Sequence, residues 1–190
     1  SVTEAARVEP SPPPAGHAEK FELRAGLDAY GVHVFVQVQG DRRVVVDRDD
    51  PVRGDAVEIF LRGRIDRELV GALDADEAQH LVLTPPTAAA EGVAWLYFKG
   101  KPKDPLDGSV WRSRRVQGGW EVELHQPWSS LKNQPSPGMV MGFDVALDLD
   151  DDDASPGREV RVLMHAAPVT SSPSCTELGI TPADPSCDDR

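Results

Sequence analysis

The clearest feature of the chain is an every-other-residue alternation of apolar and polar positions. Between Met139 and Leu149, the residues Met139, Met141, Phe143, Val145, Leu147 and Leu149 share one side, while Val140, Gly142, Asp144, Ala146 and Asp148 share the other. That is the period of a pleated strand, whose successive side chains point to opposite faces. The stretch from Gly54 to Leu61 repeats it, with Val57, Ile59 and Leu61 opposed to Ala56, Glu58 and Phe60. It reads as a central strand carrying a lone acid. Glu58 must point at water, a partner or a ligand, because burying an unpaired carboxylate is too costly.

Further strands are predicted for Phe21, Leu23 and Ala25, for Val32 to Gln39, and for Gln79 to Thr84 before Pro85-Pro86. Others follow at Val93 to Lys99, Val110 to Val116 and Trp120 to Gln126, with Val160, Val162 and Met164 closing the series. A short strand is expected from Val44 to Asp47. Gln117-Gly118-Gly119 has the composition of a hairpin connection, and Pro127 to Leu131 that of a single turn. Arg62 to Asp76 has no sustained apolar period and reads as a long connection. Nine or ten short strands without a convincing amphipathic helix predict an all-β chain folded as an antiparallel β-sandwich. Its expected limits are residues 19–180, after a proline-rich extended linker over 1–18 and before an acidic tail over 181–190.

The length of 190 residues suits one such domain with tails. A net charge of −12 repels phosphate backbones and anionic lipid, which argues against nucleic-acid and membrane-surface partners. No apolar run approaches the roughly 20 residues of a transmembrane segment, and the first residues lack the order of a signal peptide. If the protein is exported, its signal is expected to have been removed or to lie outside this sequence. Cys175 and Cys187, with eleven residues between them, do not fit paired C-x-x-C metal spacing. A disulfide is expected, hence an oxidising, extracytoplasmic setting; two unpaired thiols in the tail are the alternative. In the chain-entropy view so small a loop is worth up to about 3 kcal/mol.

Catalytic motifs are missing: there is no G-x-S-x-G elbow, no phosphate-cradling glycine loop and no H-E-x-x-H. The five histidines are scattered and show no metal-ligand spacing. The run Asp148-Leu149-Asp150-Asp151-Asp152-Asp153 could supply calcium with several oxygens, with Asp148, Asp150 and Asp152 as candidate ligands; a solvated acidic loop is the plain alternative. Trp120 and Trp128 are expected in the core, given how much area an indole buries. Trp95, Tyr97 and Trp111 are freer, and Trp95 and Tyr97 share a strand face, as a ring-stacking ligand platform would require.

Several pieces also occur in a familiar order. They are Tyr30-Gly31-Val32-His33-Val34-Phe35-Val36, Pro51-Val52-Arg53-Gly54-Asp55-Ala56-Val57-Glu58-Ile59-Phe60-Leu61, Asp76-Glu77-Ala78-Gln79, Gly118-Gly119-Trp120-Glu121-Val122-Glu123, Pro127-Trp128-Ser129-Ser130-Leu131 and Gly142-Phe143-Asp144-Val145. This succession, covering roughly Phe21 to Leu178, resembles the family 9 carbohydrate-binding modules. The resemblance implies a non-catalytic sandwich of immunoglobulin-like or jelly-roll type, with structural calcium in some members. It also implies a sugar clamped between two tryptophans and held by polar side chains. Glu58 falls on the family's binding glutamate. The first tryptophan position is occupied by Val52, no tryptophan follows Trp128, and the family's Arg and Asn contacts fall on Leu81 and Leu83. A related sandwich group carries haem through Met and His. Met164 and His165 are strand neighbours facing opposite ways, so haem is not expected.

Two functions follow from this reading. One is an extracytoplasmic binding module recruiting a saccharide through an altered site. The other is a protein-interaction or assembly module of the cell envelope, with Leu81 and Leu83 making the former sugar surface apolar. Neither implies an oligomeric state.

Overall fold

The computed structural model describes residues 7–9, 20–41, 43–62, 78–98, 101–106, 108–131, 141–150 and 160–163. These form eleven strands: β1 (Arg7–Glu9), β2 (Lys20–Leu27), β3 (Gly31–Gln39), β4 (Ala56–Arg62), β5 (Ala78–Leu83), β6 (Ala94–Phe98), β7 (Lys101–Pro105), β8 (Val110–Val116), β9 (Gly119–Pro127), β10 (Gly142–Leu149) and β11 (Val160–Leu163). One sheet has seven strands in the order β1-β11-β10-β4-β5-β6-β7, the other four in the order β2-β3-β9-β8. All the pairings are antiparallel. The only helical pieces among the described residues are 3-10 turns at Pro51–Arg53 and Trp128–Ser130.

Alternation decides what lies between the sheets. Val34, Val36 and Val38 of β3, with Trp120, Val122 and Leu124 of β9, pack against Val57, Ile59, Leu61, Leu81, Leu83, Val145 and Leu147 from the larger sheet. Each aliphatic side chain so buried contributes about 1.5–3 kcal/mol relative to exposure. Trp120 and Trp128 are both buried, as their sequence context predicts. At one end the core turns polar. Buried Gln126 donates to Gln79 Oε1 at 2.8 Å and to Ser130 Oγ at 2.6 Å, while Gln79 donates to the Ser130 carbonyl at 2.7 Å. The Ala-Gln pair and the Pro-Trp-Ser-Ser corner are thereby tied together.

The structure departs from the predicted elements in three places. Val44 to Asp47 is loop, not strand: Val45 exchanges its hydrogen bonds with Asp55, the Val45 amide donating to Asp55 Oδ2 at 2.7 Å and the Asp55 amide to the Val45 carbonyl at 2.7 Å. At Val45 the β-branched run thus bonds Asp55, side chain and backbone, in place of a partner strand. Lys101–Pro105 is a strand despite its two prolines, because it lies at a sheet edge, where a missing N–H is tolerated. Arg7–Glu9, inside the expected linker, pairs with β11 at the opposite edge.

Gly118 and Gly31 are among the glycines that the geometry requires. Gly118, between β8 and β9, has φ of 79°, in the left-handed region that other residues avoid. Gly31 is required for space: a Cβ there would lie 2.3 Å from the Gln126 carbonyl oxygen and 2.7 Å from His125 Nε2. Backbone cannot yield cheaply, so Gly31→Ala is expected to lose about 1–3 kcal/mol in urea unfolding. An unchanged denaturation midpoint would show that β3 and β9 can separate locally at no cost.

Candidate functional site

The outer face of the seven-stranded sheet holds the residue the sequence singles out. Register places Glu58 between Ala146 of β10 and Val82 of β5, with Trp95 beyond Val82. The adjacent row runs Asp144, Phe60, His80 and Tyr97. Asp148 pairs with Ala56 on one side and Arg161 on the other. The same every-other-residue rule that sends Val57, Ile59 and Leu61 inward sends Ala56, Glu58 and Phe60 outward.

Although it lies on an outer face, Glu58 is only 2% exposed. Its Oε1 accepts from Arg161 Nη2 at 2.5 Å and its Oε2 lies 2.5 Å from His80 Nε2. An ionised carboxylate can only accept, so His80 Nε2 carries the proton and donates. Arg161 Nε also approaches Asp148 Oδ1 at 3.7 Å. Burial alone pushes the Glu58 carboxyl up. The Arg161 guanidinium and the His80 hydrogen bond and charge outweigh it and hold the group well below the usual carboxylate range.

Aromatic rings surround this ion pair. His80 stacks on Phe60 with centroids 4.4 Å apart and tilts against Tyr97 at 5.1 Å. Phe60, His80 and Trp95 are half-buried, whereas Tyr97 is 3% exposed and its hydroxyl donates to Asp50 Oδ1 at 3.3 Å. Burial and the Asp50 carboxylate both push the Tyr97 hydroxyl pKa up, so the phenol stays protonated. Val52 packs with Trp95 against Ala56, Val82 and Tyr97. The buried Trp95 Nε1 has no hydrogen-bond partner among the described residues. The face therefore offers half-buried aromatic rings beside an ion-paired acid.

Several expected site residues are placed otherwise. Leu81 and Leu83 are fully buried between the sheets, so they cannot make an outer surface apolar. The positions of β5 that share the Glu58 face are His80 and Val82, one residue away, and a one-residue slip exchanges the two faces of a strand. Trp111 belongs to the other sheet, where it pairs with Leu124 and packs on the core. It cannot join Trp95 and Tyr97 in one platform. Asp148 and Asp150 are both buried, and Asp148 already faces the Arg161 cation, an environment that competes with calcium. Asp152, Cys175, Cys187, Met164 and His165 lie outside the described residues.

Sequence reasoning misses Arg161 and His80 as partners of Glu58, since Arg161 reaches it only through the β4-β10-β11 register and His80 only through β4-β5. It also misses a meeting of histidines. His33 and His125 pair across β3 and β9, and their rings stack at 4.5 Å.

A sequence profile described as Carbohydrate family 9 binding domain-like matches residues 12–173. A search of curated proteins found no match to the chain. Among solved structures, the fold is similar to a carbohydrate binding module of family 9 from Caldicellulosiruptor kristjanssonii in complex with cellotriose. That likeness has a TM-score of 0.57 at 20% identity and covers 80% of this chain and 68% of the other. The same organism's family 9 module in complex with glucose gives a TM-score of 0.58 at 18% identity, covering 80% and 69%.

Proposed function

We propose, because this chain belongs to the Carbohydrate family 9 binding domain-like family, that it is a non-catalytic module that recruits a saccharide in an extracytoplasmic setting. The observation that carries the reading is family membership over most of the chain, joined to an aromatic outer face around the retained Glu58. A pyranose presents apolar C–H faces to aromatic rings and hydroxyls to polar groups, and Phe60, His80 and Trp95 offer ring surface of that kind. The site is altered from the family's usual one. Glu58 is committed to Arg161 and His80, Val52 stands where the family has a tryptophan, and Trp95 supplies the indole instead. The setting rests on the expected Cys175–Cys187 disulfide.

The ligands of the similar modules suggest where to begin: glucose and cellotriose, followed by a wider glycan array. Calorimetry is expected to find binding in the millimolar range or tighter for one sugar class. Trp95→Ala should weaken it at least about tenfold, the equivalent of about 1.4 kcal/mol. Folded protein that is silent across the array would end the saccharide reading, and full affinity in Trp95→Ala would move the site elsewhere.

A further inference from the structure

The outer face of the four-stranded sheet carries a second group of functional side chains, on the opposite side of the sandwich from Glu58. Asp28 closes the turn between β2 and β3, His33 lies on β3 and His125 on β9. One ligating atom from each lies within 4.8 Å of the others. Three features organise them. Asp28 Oδ1 accepts from the amides of Tyr30 at 2.7 Å and Gly31 at 2.9 Å, which aims Oδ2 at His33 Nε2, 2.8 Å away. The Trp128 indole donates to the Asp28 carbonyl at 2.9 Å and the Trp128 amide to the Tyr30 carbonyl at 3.0 Å, fixing the turn to the body of the sandwich. Finally, His125 Nε2 is buried with no hydrogen-bond partner among the described residues, although a desolvated ring nitrogen normally finds one.

From this arrangement we infer that Asp28, His33 and His125 form a site for a divalent transition-metal ion of the zinc and copper class. Imidazole nitrogen with one carboxylate is the donor set such ions prefer, whereas calcium and magnesium favour oxygen alone. Bonds of about 2.0–2.2 Å put tetrahedral ligands about 3.4 Å apart, so modest side-chain rotation closes the present spacing. His33 is exposed and can turn toward a shared ion by giving up its Asp28 contact, while His125 is fixed by its close approach to Gly31. The amides on Asp28 Oδ1 act as outer partners that orient the ligand. Gly26, beside His33 in the ladder, leaves open space, and the site opens into a groove of about 720 Å³ that also takes in Arg24, Phe35, Arg112 and Glu123. A fourth coordination position is accessible from there.

The test uses the full chain stripped with chelator and no sugar, so its outcome is independent of saccharide binding. Titration calorimetry with Zn²⁺ and Cu²⁺ is expected to show one ion bound, and electron paramagnetic resonance of the copper form should show coupling to two imidazole nitrogens. His33→Ala and His125→Ala should each weaken binding at least about tenfold. His33 is exposed, so its variant keeps the fold and the test stands even if the His125 variant does not. Affinity unchanged in His33→Ala, a spectrum with fewer than two imidazoles, or no binding tighter than about 1 mM would overturn the assignment.

Discussion

Replacing Arg161 with methionine is expected to cost about 3–5 kcal/mol of unfolding free energy at pH 7, because removing one partner of a buried pair leaves the other charge uncompensated. Glu58 is 2% exposed and Asp148 fully buried, and the guanidinium lies 2.5 Å from one and 3.7 Å from the other. The sign of the pH dependence follows from the depressed Glu58 carboxyl. In the natural protein its contribution is complete above the unfolded glutamate value of about 4.3 and is lost as pH falls through the lower folded value. In the variant the largest influence opposing burial is gone, so the Glu58 carboxyl titrates higher than in the natural protein. The gap between the two proteins should therefore narrow as pH falls. Urea titrations at pH 7 and pH 4 measure it. Replacing Glu58 by leucine in the Arg161→Met background should recover part of the loss, as apolar replacements of buried pairs often do. Equal stability of natural and variant protein at pH 7 would show that Glu58 is solvated or balanced by another cation.

Trp120→Ala is the second large effect, at about 3–5 kcal/mol. The indole is fully buried among the β3 and β9 side chains, and its Nε1 donates to Asp41 Oδ2 at 2.5 Å, just beyond β3. Asp41 is itself 1% exposed, so deletion both opens a cavity and strips a donor from a desolvated carboxylate. Trp120→Phe keeps the six-membered ring and so opens a smaller cavity, while losing the donor, for about 1–3 kcal/mol. Equilibrium urea unfolding with an unchanged slope would read both values. A phenylalanine variant as stable as the parent would mean that the Asp41 hydrogen bond contributes nothing net.

Strands whose alternation runs through apolar residues were legible from the chain alone. β10 and β4 follow Phe143, Val145 and Leu147, and Val57, Ile59 and Leu61, because each strand has one face to bury. β7 was not, since Lys101-Pro102-Lys103-Asp104-Pro105 has no alternation and owes its extended form to β6. Val44-Val45-Val46 shows the reverse, a β-branched run outside any strand in which the Val45 amide bonds the Asp55 carboxylate.

At the candidate site Glu58 was legible as an anomaly, but its meaning depended on register. His80 and Arg161 come from strands either side whose alignment no local pattern encodes, and the parity of β5 alone separates the core residues Leu81 and Leu83 from the outer His80 and Val82. The Asp28, His33 and His125 group is a matter of topology, because β3 and β9 are neighbours in space and far apart in the chain.

The rims of the two sheets have a consequence for how such domains behave together. β7, at one end of the larger sheet, lacks amide protons at Pro102 and Pro105, so a strand from another molecule cannot complete a ladder there. β8, at one end of the smaller sheet, carries exposed Arg112 and Arg115 beside Arg114, which is paired with Glu121, and two such rows of cations repel each other. Copies strung in tandem or crowded on a surface would therefore stay separate along these rims instead of fusing into a continuous fibre.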